Sequence, residues 1–258
     1  MTIEQTSCDR GHHNCPSPPS APQWLVSLRS QDELRIALQH PIDILDLKEP
    51  RKGPLAAAPA ELWHAAIAMT ADLPQSPRLS AALGESQESL RIASDLPAEF
   101  AFAKMGPSDS VSMDRLCHTW DRVRSELAPS IQFVAVAYAD HTAASCPDPV
   151  TIFRAASRAG IQRCLIDTFV KDGKSTLDHL NRDQITELAE TARAQSSWWA
   201  LAGSVGVRHF PVLSQWNIVP DCIGVRGDVC DQDRTSELSP QRMRDWSAAM
   251  ARSFRPAD

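Results

Sequence analysis

The stretch Ile42-Asp43-Ile44-Leu45-Asp46-Leu47-Lys48-Glu49-Pro50 decides the fold. Ile42, Ile44, Leu45 and Leu47 make it apolar enough for a buried strand. It then exposes a carboxylate, Asp46, and an amine, Lys48, just before a proline. Residues two apart on a strand share a face. Asp46 and Lys48 are therefore expected side by side at the strand's C-terminal end. An amine beside a carboxylate at the mouth of a barrel is how a Schiff-base lysine is positioned.

Outward from this stretch, one unit repeats: a short apolar strand, a polar turn and an amphipathic helix. Before it stands the strand Trp24–Leu28 with a helix through Leu34, Ile36 and Leu38. After it come a helix through Leu62, Trp63, Ala66 and Met69, then strands at Leu79–Leu83, Phe100–Gly106 and Phe133–Asp140. Asp148-Pro149 predicts a helix start, with Asp as cap and Pro in the first turn, and Gly160 its stop. Cys164–Thr168, Trp198–Ser204 and Cys222–Gly227 give three more strands, and a helix through Met243, Trp246 and Met250 closes the chain. Near-continuous apolar strands alternating with helices imply parallel strands covered on the outside. Eight such units predict an α/β protein, a (β/α)8 TIM barrel with its site at the strands' C-terminal ends. The alternative is a doubly wound open sheet, disfavoured because no Gly-x-Gly-x-x-Gly follows the first strand.

The chain's 258 residues suit one such domain, expected over 24–258. Residues 1–23, rich in Pro, Ser, Cys and His, read as a disordered arm. Cys8, His12, His13 and Cys15 lie within it, but their spacing matches no closed zinc finger, so no metal site is assigned. The formal net charge of −6, with both signs interspersed, gives no basic stripe for nucleic acid and no membrane patch. No apolar run reaches the roughly 18 residues of a membrane span, and the start shows no signal-peptide pattern. Seven scattered cysteines read as reduced thiols of a cytoplasmic protein. Apolar barrel ends leave room for a homo-oligomer interface.

Polar groups gather where this fold places its chemistry. Strand ends carry Asp46 and Lys48, Glu85, Lys104, Asp140 and His141, Asp167 and Thr168 with Lys171 just beyond, Gly203-Ser204, and Arg226-Gly227-Asp228. A lysine inside an apolar strand, as Lys104 is, costs several kcal/mol unless paired. Each lysine alone reads equally well as a structural ion pair. Lys48, Lys104 and Lys171 converging on one mouth point instead to mutual depression of pKa and a nucleophilic amine. Gly203, Ser204 and Gly227 close strands seven and eight, where barrels often bind phosphate with backbone N–H groups, and Arg226 and Lys174 can add charge-assisted bonds. A small phosphorylated substrate is the expected partner. His141 reads as a site group or a satisfied loop residue. Cys164, Cys222 and Cys230 read as core.

Six blocks in order resemble one family: Asp46-Leu47-Lys48-Glu49-Pro50 with Gly53-Pro54-Leu55-Ala56; Ala103-Lys104-Met105-Gly106; Ala137-Tyr138-Ala139-Asp140; Asp167 to Lys174; Leu201-Ala202-Gly203-Ser204; and Gly224 to Cys230. From Trp24 to about Glu237 the chain is similar to the (5-formylfuran-3-yl)methyl phosphate synthases of methanofuran biosynthesis. The resemblance implies a cofactor-independent carbon–oxygen lyase. It joins two molecules of glyceraldehyde 3-phosphate into a furan aldehyde phosphate, losing phosphate and water. It implies Lys48 as the Schiff-base residue, Lys104 as proton acceptor, and roles for Asp46, Asp167 and Lys171. The N-terminal arm departs from the archaeal pattern. Another class I aldolase, or a non-catalytic barrel that binds a sugar phosphate, remains open at this level.

Overall fold

The computed structural model of the chain describes residues 21–254. Most of the expected arm, with Cys8, His12, His13 and Cys15, lies outside the described residues. The chain begins with β1 (Gln23–Leu28) and α1 (Gln31–Ala37), then β2 (Ile44–Leu47) and α2 (Ala60–Thr70). β3 (Arg78–Glu85) leads to α3 (Ser86–Ile92), β4 (Phe102–Gly106) to α4 (Met113–Glu126), and β5 (Gln132–Tyr138) to α5 (Pro149–Arg158). β6 (Arg163–Asp167) is followed by a single-turn helix, α6 (Thr176–His179), and by α7 (Arg182–Ala194). β7 (Trp198–Leu201), α8 (Phe210–Trp216), β8 (Cys222–Val225) and α9 (Pro240–Ser253) complete the order. β1 takes in Gln23, one residue of the expected arm.

The eight strands close into a barrel in sequence order, which excludes the open sheet. β1 pairs in parallel with β2 on one side and with β8 on the other, with Gln23 opposite Cys222 and Val26 opposite Val225. The alternation of a strand's side chains sorts the apolar residues into two sets. Leu25, Ile44, Ala82, Phe102, Val134, Val136, Leu165 and Ala200 fill the inside of the barrel. Val26, Leu45, Leu47, Ala103, Ile166 and Leu201 face out and pack against the helices through residues such as Leu62, Trp120, Ile152 and Trp246. The barrel's base is closed by Arg78 and Arg163, whose guanidinium carbons each lie 4.8 Å from the centre of the Phe102 ring. A cation on an aromatic face there satisfies charge without opening the core to water.

Local chemistry sets the helix starts. Ser30, Ser112 and Asp148 each accept a hydrogen bond from a backbone N–H of the first turn, and Asp148 is followed by Pro149 as expected. Gly160 has φ +70, the left-handed stop after α5. α9 returns to the start of the chain: Trp246 stacks on Trp24 with ring centres 6.1 Å apart. Strands six to eight stop short of their apolar runs, because Thr168, Ala202 to Ser204 and Arg226 already turn into the loops of the mouth. No described helix is long and apolar enough to cross a membrane, and the five described cysteines are free thiols.

Candidate active site

Lys48 leaves β2 at the barrel's mouth with its backbone fixed from both sides. Its N–H donates to Leu28 O at 3.1 Å, and it bridges Ala57 across the β2–α2 loop. Its residue is only 7% exposed, yet among the described residues its Nζ has no carboxylate within ion-pair distance. Asp46, the expected neighbour, is engaged elsewhere. Its Oδ1 lies 2.7 Å from Lys104 Nζ and accepts from Ser80 Oγ at 3.0 Å, while Oδ2 accepts from Ser27 Oγ at 2.9 Å. Burial pushes the Asp46 carboxyl up, but Lys104, Lys48 and these hydrogen bonds together hold it below its ordinary value.

The Lys48 amine is pulled down to about 7, first by burial and only then by Lys104 and Lys171, against the opposing pull of Asp167 and Asp46. Desolvation, rather than crowding by other lysines, is thus the main cause. At neutral pH a large share of this amine is unprotonated and nucleophilic.

Asp167 ends β6, and its Oδ1 accepts from Lys171 Nζ at 2.8 Å and from the Thr168 N–H at 2.7 Å. Lys171 also donates to Thr168 Oγ1 at 3.0 Å. Burial raises the Asp167 carboxyl, and Lys171 and Lys48 outweigh it, leaving it an anion. Asp140 fixes the segment that follows, accepting from the N–H groups of Phe169 and Val170 at 2.7 and 2.8 Å. Beside these, Glu85 accepts from Tyr138 Oη at 2.6 Å and from Ser108 N–H at 3.0 Å, and burial raises its carboxyl.

A cavity of about 410 Å³ joins Lys48, Lys104, Asp167 and Lys171 to Gly203, Ser204 and Gly227. Gly203 and Ser204 both have positive φ, +84 and +55. A Cβ on Gly203 would run into Thr176 Oγ1 and the Thr168 backbone N, so α6 can sit against this turn only because residue 203 is glycine. Among the described residues neither the Gly203 nor the Ser204 amide donates to another backbone group, which leaves both for an anion.

Two expected phosphate ligands are placed otherwise. The Arg226 guanidinium is buried in a bidentate pair with Glu33 at 2.8 and 2.9 Å. It also donates to the carbonyls of Ser27, Arg234 and Ser236. With these donors engaged inside the protein, Arg226 braces the mouth and has none left for a phosphate. Lys174 is exposed on its loop and does not line the cavity. His141 lines a different cavity, beside α5 and α7. Conversely, Arg208, Arg234 and Arg242 line the active-site cavity and were not singled out from sequence. Their one signal is a position after strands seven and eight, Arg208 and Arg234 in the connections to the next helix and Arg242 in the first turn of α9.

The profile of the 4-HFC-P synthase family matches residues 24–247. The chain belongs to this family. Curated relatives named (5-formylfuran-3-yl)methyl phosphate synthase agree with this 4-HFC-P synthase assignment. That of Methanosarcina acetivorans is 29% identical over 223 residues, covering 83% of this chain and 93% of its own. That of Archaeoglobus fulgidus is 30% identical over 232 residues with the same coverage. Among solved structures, phosphoribosyl anthranilate isomerase of Thermus thermophilus superposes with a TM-score of 0.56 at 12% identity, covering 90% of this chain and all of its own. A 3-hexulose-6-phosphate synthase superposes at 0.54 and 13%, covering 88% and 99%. At such identities these two show the barrel alone. As a 4-HFC-P synthase family member the chain is an enzyme, and the cavity at the barrel's mouth is its candidate active site.

Proposed function

We propose that the chain condenses two molecules of glyceraldehyde 3-phosphate into (5-formylfuran-3-yl)methyl phosphate through an imine on Lys48, releasing one phosphate and two waters. The observation that carries this reading is the buried Lys48 amine, unpaired among the described residues and held near pKa 7 at the cavity wall. Its lone pair attacks the aldehyde carbon, and the carbinolamine that forms must lose hydroxide as water. Lys104, paired with Asp46, supplies that proton as an ammonium and is left as the neutral amine. The iminium then draws electrons from the adjacent carbon, and the amine of Lys104 takes the proton released there. Lys104 thus donates before it accepts, and Asp46 keeps it in place throughout. The enamine adds to the second aldehyde, the adduct loses phosphate and two waters as the ring closes, and hydrolysis of the remaining imine returns the water lost in its formation and frees Lys48. Asp167 and Lys171 stand at the same wall to relay protons in these eliminations.

This assignment sets the enzyme in methanofuran-type one-carbon metabolism of the cytoplasm. Borohydride trapping with glyceraldehyde 3-phosphate, followed by peptide mass spectrometry, tests it. A reduced adduct on Lys48, its loss in Lys48→Ala, and a product with furan-aldehyde ultraviolet absorption are the expected results. Full turnover by Lys48→Ala would sink the imine.

A further inference from the structure

Two phosphorylated aldehydes in one cavity require two poles of positive charge. The turn at Gly203 and Ser204 offers one, through amides that are free of backbone partners. The cations of the cavity differ in how far they are already neutralised. Lys104 is paired with Asp46, Lys171 with Asp167, and Arg226 with Glu33. Arg208 lies 3.9 Å from Asp228. Lys48, assigned to the imine, and Arg242, exposed on α9, likewise have no carboxylate within ion-pair distance among the described residues, but Arg234 is the half-buried one, fixed at the mouth. Among the described residues it has no carboxylate within ion-pair distance and bonds only to neutral carbonyls, donating to Pro50 O at 2.7 Å and to Gly53 O at 3.2 Å. Even its chain neighbour Asp233 is turned away, accepting from the Thr235 N–H and hydroxyl at 2.7 Å and from the Ser236 N–H at 3.1 Å.

Those two carbonyls belong to the loop that directly follows Lys48, so Arg234 reaches across the mouth from the β8–α9 loop to the β2–α2 loop. Its backbone is held from beneath, since Arg226 Nε donates to the Arg234 carbonyl. Two carbonyls use two of a guanidinium's five N–H groups. The rest, on a guanidinium that Asp167 and Asp233 influence only from beyond ion-pair distance, match a phosphate dianion.

We propose that Arg234 is the second phosphate ligand, the residue that selects a phosphorylated aldehyde over an unphosphorylated one for reaction at Lys48, and that Arg226 acts as its positioning residue. The proposal rests on the imine reading above for the identity of the aldehyde. For the anion site it rests on the geometry alone.

Arg234→Gln and Arg234→Lys test it through borohydride trapping at Lys48, titrated in parallel with glyceraldehyde 3-phosphate and with glyceraldehyde. In the unmodified enzyme the phosphorylated aldehyde is expected to be trapped at far lower concentration. Arg234→Gln is expected to raise that concentration about tenfold or more and so to shrink the preference for the phosphorylated aldehyde. Arg234→Lys, which keeps the charge but not the fork, should fall between. An unchanged preference in Arg234→Gln, or an equal loss with both aldehydes, would show a strap that merely holds the loop and would overturn the proposal. A second measurement needs no imine: the rise in Tm of the enzyme with inorganic phosphate should shrink in Arg234→Gln. If Lys48 traps neither aldehyde even in the unmodified enzyme, the imine reading fails and the phosphate shift decides alone. A smaller shift in the variant then supports the anion site, and an equal one overturns it.

Discussion

A lysine that gives up its charge on burial carries its own pH signature. The Lys48 amine titrates near 7 when folded and at the ordinary 10.5 when exposed. Below pH 7 the folded enzyme bears the whole penalty of a buried ammonium. Between about 7 and 10.5 the unfolded chain holds a proton that the folded one lacks, so this residue's contribution to stability rises with pH across that window. Lys48→Met removes the penalty. Its gain in Tm is therefore expected to be larger at pH 6 than at pH 9, by about 5 °C, since a pKa unit is worth ~1.4 kcal/mol and each kcal/mol moves a domain of this size by a few degrees. Equal gains at both pH values would contradict the lowered pKa. The same titration should appear in catalysis, with kcat/KM falling below pH 7 along an acid limb whose apparent pKa is about 7. The lysine was legible in the sequence as a cation ending an apolar strand. What lowers its pKa was not, because the degree of burial depends on the fold around it, including Leu55 and the rest of the loop that folds back over the mouth.

Between elements, the tie from β8 to α1 is the most demanding contact. Arg226 and Glu33 are both nearly fully buried, so either one alone would be an uncompensated charge in the core. Arg226→Lys keeps the charge but loses the fork that meets two carboxylate oxygens and three carbonyls. It should cost about 2–4 kcal/mol in chemical denaturation, and it should open the loop of residues 231–237 to limited proteolysis. A variant as stable and as protected as its parent would refute the bracing role. From sequence Arg226 looked like a phosphate ligand because it stands beside Gly227 at the end of strand eight, where barrels often bind phosphate. The partner that turns it inward stands 193 positions earlier, a separation that local pattern reading does not reach. One helix was also missed, and another was counted among the eight units without being given residues. α6 is a single turn without apolar periodicity, and α8 follows a Gly203–Gly206 turn that masks its start. Asp148-Pro149, by contrast, announced α5 correctly, since capping is a local interaction.

Across the whole molecule, eight apolar runs at near-regular spacing made the barrel readable, because parallel strands buried on both faces tolerate few polar residues. What the spacing does not convey is how the end of the chain is fastened to the site. Trp246 on α9 stacks on Trp24 of β1, and its Nε1–H donates to Asp228 Oδ2 at 2.6 Å. The same carboxylate oxygen accepts from the Val207 N–H at 3.0 Å. One side chain thus joins the first strand, the last helix and the wall of the cavity. Trp246→Ala should destabilise the fold by about 3–5 kcal/mol. Trp246→Phe keeps most of the packing and loses the indole N–H. It should retain most of that stability while raising KM through the loosened Asp228 wall. Normal KM in a folded Trp246→Phe would show the hydrogen bond to be structural only.

The closing pair of strands bears on how the enzyme comes into being. Gln23 meets Cys222, so the barrel's seam joins residues about two hundred positions apart, and such distant pairing forms late in folding. On a ribosome, β1 and Lys48 emerge long before β8 does. In an unfolded chain Lys48 is a solvated amine, almost wholly protonated at neutral pH and so only a weak nucleophile. The lowered pKa therefore belongs to the closed barrel and not to the β2 sequence alone, because burial is its main cause.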